Sequence, residues 1–178
     1  NPSKKSNDKW SIKQLGGYLF AKMMRGGASS LQANAEEVNK LNVFPVPDGD
    51  TGDNMSMTIQ SGVASLDNID TDDLAEVLRV ASKGMLLGAR GNSGVILSQI
   101  FRGFYQAVAD KAEINTEEIA AAFENGARVA YKAIMKPVEG TILTVAREMA
   151  ESASDYNGED VTELLKHVVE YGNKSLDN

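Results

Sequence analysis

Three aspartates, Asp48, Asp50 and Asp53, fall within six positions of the stretch Asn42 to Met55, which reads N-V-F-P-V-P-D-G-D-T-G-D-N-M. Carboxylates held that close repel one another, and a bound divalent cation is the usual way to offset the repulsion. Pro45 and Pro47 push the residues before them into extended geometry. Gly49 and Gly52 permit sharp backbone reversals. The stretch therefore reads as a stiff, acidic loop between two segments of helical spacing. It does not match a calcium EF-hand. Counting from Asp48, the fifth position is Gly52, the sixth Asp53 and the twelfth Ile59, where that loop needs an oxygen ligand, a glycine and a glutamate. On spacing, two readings stay open: a solvated Asp-Gly turn, or magnesium shared between protein carboxylates and the phosphates of a substrate.

A second loop, Gly88-Ala-Arg-Gly-Asn-Ser-Gly94, also leads into a helical segment. It carries neither the Walker lysine nor the dinucleotide fingerprint after a strand. Glycines at 88, 91 and 94 nevertheless let backbone amides turn inward. Asn92 and Ser93 are expected to cap the next helix, whose N-terminus attracts anions. A plain interhelix turn explains the same residues. Arg90 could meet a phosphate or a carboxylate. A third loop, Lys136-Pro-Val-Glu-Gly-Thr141, repeats the glycine-then-hydroxyl entry at Gly140 and Thr141. The loops at 42–54, 88–94 and 136–141 are separated by even numbers of helices. In an antiparallel bundle they would share one end and form one anion-and-metal pocket.

The elements that must position these loops read as helices throughout, with no alternating strand pattern. Ile12, Leu15, Leu19 and Met23 share one face of a first helix, which Gly26 and Gly27 are expected to end or loosen. Leu31, Ala35, Val38 and Leu41 form a second face, and Met55, Ile59, Val63 and Leu66 a third. Thr71 or Asp72 is expected to cap a helix carrying Leu74, Val77, Leu78, Ala81 and Met85. Val95 to Ala109, Thr116 to Ile134 and Thr141 to Ser154 follow. Asp160 and Glu163 then form a capping-box-like start for a last helix with Leu164, Leu165 and Val168. About eight helices with short connections predict an all-α, antiparallel up-and-down bundle. The methionines are mostly core candidates.

At 178 residues, with 42% hydrophobic and 24% charged residues, the chain is expected to be one helical domain over residues 10–178 behind a polar tail at 1–9. A net charge of −7 argues against nucleic acid or an anionic membrane as partner. No apolar run approaches the roughly 20 residues of a membrane span. With no cysteine and a polar N-terminus, a cytoplasmic location is expected. His167 is the only histidine, so histidine-based nucleophilic catalysis is not expected.

Taken together, N-V-F-P-V-P-D-G-D-T-G at 42–52, L-L-G-A-R-G-N-S-G-V-I-L-S-Q at 86–99 and M-K-P-V-E-G-T-I-L-T-V at 135–145 resemble the nucleotide-binding domain of bacterial fatty acid kinase. That domain is similar to the ATP-binding subunit of dihydroxyacetone kinases. The resemblance spans nearly the whole chain. It implies an eight-helix antiparallel barrel with ATP at one end and magnesium between aspartates and nucleotide phosphates. Asp48 and Asp50 take the catalytic, metal-holding positions. Asn42 is the nearest match to a further upstream aspartate. Thr51, Gly52, Asn54, Gly91, Asn92, Ser93, Gly94, Gly140 and Thr141 fall at cofactor-binding positions. Asp53 replaces the usual threonine and is either a third metal ligand or a surface substitution. Thr144 stands where dihydroxyacetone kinases tend to carry aspartate, which favours the fatty acid kinase branch.

The activity so implied is magnesium-dependent phosphoryl transfer from ATP to a fatty acid carried by a separate fatty-acid-binding partner protein, giving an acyl phosphate for phospholipid metabolism. A dihydroxyacetone (glycerone) kinase subunit and a non-catalytic nucleotide-binding regulatory module are the alternatives. The family's domain usually continues into a glycine-containing lid and further domains, through which a homodimer could form. The chain is accordingly expected to be a fragment of a longer one.

Overall fold

The computed structural model describes residues 11–41, 49–134 and 142–177. Eight α-helices account for most of them: α1 (Gly17–Ala33), α2 (Ala35–Leu41), α3 (Thr51–Ser65), α4 (Leu74–Leu87), α5 (Gly91–Val108), α6 (Thr116–Ala133), α7 (Ile142–Asp155) and α8 (Val161–Asp177). One two-residue bridge, β1 (Leu15–Gly16) with β2 (Glu113–Ile114), is antiparallel with Leu15 opposite Ile114. The fold is all-α. No helix among the described residues is long and apolar enough to cross a membrane.

Helices α1 and α2 follow each other across the single residue Asn34, with helical backbone bonds running through it, whereas from α3 onward consecutive helices turn back and bury apolar stripes against each other. A Cβ on Gly84 or Gly88 of the α4 end would meet Ser61, and one on Gly62 would meet Met85 and the Ala81 carbonyl. Helices α3 and α4 therefore run antiparallel in close contact. Gly103 faces Asn125 and Gly126 across the α5–α6 pair, and Ile96 joins Ala130 near the other end of that pair. Helices α3, α5 and α7 thus start at the same end. Leu143, in the first turn of α7, completes the Ile96–Ala130 cluster there.

The opposite end is tied by hydrogen bonds between distant segments. Gly17 and Leu74 N–H donate to the Asp72 and Ala112 carbonyls, both at 2.9 Å, and Val161 N–H to that of Ile12 at 2.7 Å. The core beneath them includes Leu15, Leu74, Leu78, Val108, Ile114, Ile119, Val161 and Leu164, all nearly or fully buried. A second cluster, Met24, Ala28, Ile59, Leu66, Val77, Ala81 and Met85, joins α1 to α3 and α4.

Several local expectations change. Helix α1 starts at Gly17 rather than near Ile12, which is exposed. It continues through Gly26 and Gly27 because Ala21, Met24 and Ala28 on the same helix pack into the core, and that burial outweighs a glycine cost of about 1 kcal/mol each. Asp73, not Asp72 or Thr71, caps α4 by accepting from Ala75 N–H at 3.2 Å. Asp72 instead accepts from Tyr18 N–H at 2.9 Å, 54 residues away, and so caps α1. Helix α6 is opened by Asn115, which forms a full capping box with Glu118. Asp160 does cap α8, accepting from Thr162 N–H at 2.9 Å. Of the described methionines, Met24 and Met85 are buried, whereas Met23 and Met57 are exposed. His167 is exposed beside Tyr156 with ring centroids 6.3 Å apart.

Two predictions follow from this packing. Nothing lies within 4 Å of a Cβ at Gly27, so Gly27→Ala should raise stability by about 0.5–1 kcal/mol in urea unfolding. A Cβ at Gly126 falls 2.7 Å from the Ile100 carbonyl oxygen, so Gly126→Ala should lower it, by about 1–3 kcal/mol. The Glu118 carboxyl is held below its ordinary value of 4.5, first by the Lys111 hydrogen bond and then by the Asn115 backbone N–H. The folded chain therefore holds that proton less readily than the unfolded chain. The contribution is complete above the unfolded value and disappears as pH falls through the folded one. The stability advantage of the native chain over Glu118→Gln should accordingly shrink as the pH falls through and below the ordinary value of 4.5, read as converging urea midpoints.

Candidate functional site at the shared helix ends

Asp50 precedes the first turn of α3 and occupies its cap position, yet its side chain makes no cap bond. That role passes to Asn39, on the short helix α2. Asn39 Oδ1 accepts from Gly52 N–H at 2.8 Å and from Asp53 N–H at 3.2 Å. Asn39 Nδ2 donates to Asp53 Oδ2 at 3.1 Å. The close seating of α2 depends on Gly52, where a Cβ would lie 2.2 Å from the Ala35 carbonyl oxygen. The Gly52 amide is therefore committed within the protein. Asp50 is half-buried, and neither its carboxylate nor the Thr51 N–H has a partner among the described residues.

Helix α5 begins beside that turn. Gly91 has φ +65°, a left-handed conformation that glycine adopts without penalty. A Cβ there would also strike Asn54 Nδ2 at 2.4 Å, and one at Gly94 would strike Thr58 Oγ1 at 2.3 Å. Thr58 is fully buried. Its hydroxyl donates to the Asn54 carbonyl at 2.7 Å and accepts from Arg90 N–H at 3.1 Å. The Ser93 hydroxyl donates to the Thr51 carbonyl at 3.4 Å. These contacts hold the two N-termini side by side.

The expectation that Asn92 or Ser93 caps α5 is corrected. The helix starts at Gly91, with Arg90 at the cap position and no side-chain cap bond. Both residues therefore lie inside the first turn, and Ser93 is used to reach α3. The amides of Gly91, Asn92 and Ser93 consequently have no acceptor among the described residues. Arg90 is exposed and makes no ion pair among them.

The structure thus brings together Asp50, Thr51, Gly52, Asp53, Asn54, Gly91, Asn92, Ser93 and Gly94. Asn42, Asp48, Gly140 and Thr141 lie outside the described residues. The start of α7 at Ile142 sits at the same end through Leu143. Sequence reasoning missed Asn39 and Thr58. Asn39 is a poor helix former placed just before the acidic loop, which is the one local sign of its capping role. Thr58 shows no such sign.

The donor set fits magnesium bound jointly with phosphates. Magnesium is usually held by one or two protein carboxylates plus substrate phosphates rather than by an all-protein cage. No cluster of three or more metal-ligating side chains occurs among the described residues, and Asp48 lies outside them. Unpaired amides at a helix N-terminus suit the phosphates. The α3–α5 clamp gives a stability test. Thr58→Val strips the part-buried Arg90 N–H of its acceptor and should cost about 1 kcal/mol or more. Thr58→Ser keeps both hydrogen bonds, loses one methyl group and should cost roughly 1 kcal/mol in the same denaturation assay.

The chain is similar to known proteins over most of its length. Residues 45–178 match the family model described as DAK2 domain. The chain is 52% identical over 168 residues to the protein YloV of Bacillus subtilis, covering 93% of this chain and 30% of that protein. It is 50% identical to an uncharacterized protein of Staphylococcus epidermidis and 49% identical to one of Staphylococcus aureus, each over 94% of this chain and 31% of the relative. The chain therefore spans about a third of the length of the curated relatives it matches. With a matching model over most of its residues, the chain belongs to the DAK2 domain family, that of the dihydroxyacetone kinases.

Proposed function

We propose that this domain binds ATP with magnesium and transfers its terminal phosphoryl group to a fatty acid carboxylate presented by a separate fatty-acid-binding protein, giving an acyl phosphate. The observation that carries the reading is the joined start of α3 and α5, where the amides of Gly91, Asn92 and Ser93 and the carboxylate of Asp50 have no partner among the described residues. In this reading Asp50, together with Asp48, holds the metal. The amides of α5 hold phosphate oxygens, and Thr51, Asn54, Asn92 and Ser93 orient them. Bound magnesium would neutralise phosphate charge. The chain's own part is positioning and fixed dipoles, which are the main requirements of phosphoryl transfer. A carboxylate acceptor is already ionised near neutral pH and needs no general base.

The resemblance of the three loop segments and Thr144 support the fatty acid branch. The DAK2 match favours a second reading with the same site and dihydroxyacetone on a partner subunit as acceptor. A cytoplasmic location and dimerisation through further domains accompany either reading.

Thermal unfolding with ADP tests the shared core of both. Binding to the folded chain alone should stabilise it by about 2.7 kcal/mol at a hundredfold excess over the dissociation constant. The expected shift requires magnesium and is lost in Asp50→Ala. A native chain that shows no magnesium-dependent shift would sink the kinase reading. ATP consumption with a fatty-acid-loaded carrier, compared with a dihydroxyacetone-loaded subunit, then assigns the acceptor.

A further inference from the structure

The three hydrogen bonds of Asn39 do more than close a helix end. Two N–H donors, at Gly52 and Asp53, converge on its Oδ1, so its Nδ2 must face the Asp53 carboxylate. Only this orientation of the amide serves both sides, because the opposite one would set N–H against N–H. The result is a polarity lock between α2 and the first turn of α3. It removes two of the three leading amides of α3 from anion binding. It also engages one oxygen of Asp53 and turns that residue toward α2, whereas Asp50 keeps no partner among the described residues.

We propose that Asn39 is the positioning residue of this site, and that Asp53 is its hydrogen-bond anchor rather than a metal ligand. The lock directs phosphate toward the α5 amides, which have no acceptor among the described residues, and leaves Asp50 rather than Asp53 as the carboxylate available to the metal. This rests on the nucleotide-binding reading above and assigns the two residues that reading leaves without a role.

A charge-conserving swap in the full chain tests it. Asn39→Asp keeps the acceptor for both amides but sets two carboxylates against each other. Asp53→Asn alone keeps an acceptor for Asn39. The double variant N39D/D53N reverses the donor and acceptor and restores all three bonds at unchanged net charge. The measurements are ADP affinity, the magnesium concentration that half-saturates it, and the ligand-free unfolding midpoint. Asn39→Asp should raise the half-saturating magnesium by about tenfold or more, with the double variant and Asp53→Asn each within about threefold of native. A merely structural Asn39 would lower the midpoint and leave the magnesium requirement unmoved, which overturns the proposal while the kinase reading stands. A half-saturating magnesium raised about tenfold or more in Asp53→Asn alone would make Asp53 a ligand and overturn it too. Should Asn39→Asp not fold, the double variant alone decides: a native magnesium requirement supports the lock, and a raised one in a folded protein refutes it. A native chain that binds no ADP at any magnesium concentration removes both the kinase reading and this role.

Discussion

Everything at the candidate site depends on how closely α3 and α5 approach at their first turns. Their N-termini point the same way, so their positive dipole ends lie side by side and repel. The structure holds them together regardless. Gly94 offers no Cβ to the Thr58 hydroxyl, and that buried hydroxyl joins the Asn54 carbonyl to the Arg90 amide. Ser93 adds a bond to the Thr51 carbonyl. An anion is the kind of ligand that offsets such an electrostatic cost.

Such a strained pairing needs a stiff body beneath it. The far end of the bundle provides this through long-range backbone bonds and caps shared between distant segments. Asp72 caps a helix that begins 55 residues before it, while its neighbour Asp73 caps the helix that follows. Asn115 and Glu118 close α6, with Lys111 on the same carboxylate. Polar contacts thus tie both ends, and among the described residues the amides of Gly91, Asn92 and Ser93 at the site end have no acceptor. Satisfied helix ends stabilise the fold.

Much of this was legible in the residues. Helical spacing gave eight helices, and the even count between the three loops placed the starts of α3, α5 and α7 at one end, as Ile96, Ala130 and Leu143 now show. Other details were hidden because they are set by partners far away in sequence. Gly26 and Gly27 read as a break, yet burial of Met24 and Ala28 carries the helix across them. Asn92 and Ser93 read as caps, yet the left-handed Gly91 starts the helix earlier and places both within its first turn.

The sequence by itself determined the all-α class, the acidic and glycine-rich loops and their order, because periodicity and turn chemistry are local properties. Only the tertiary structure decided which polar groups are spent and which stay free. Asn39 lies 13 residues before the Gly52 amide it occupies, and Thr58 lies 32 before the Arg90 amide it accepts from. Neither partnership leaves a pattern in the chain, since a hydrogen bond between packed helices depends on their separation and rotation, which the whole core sets.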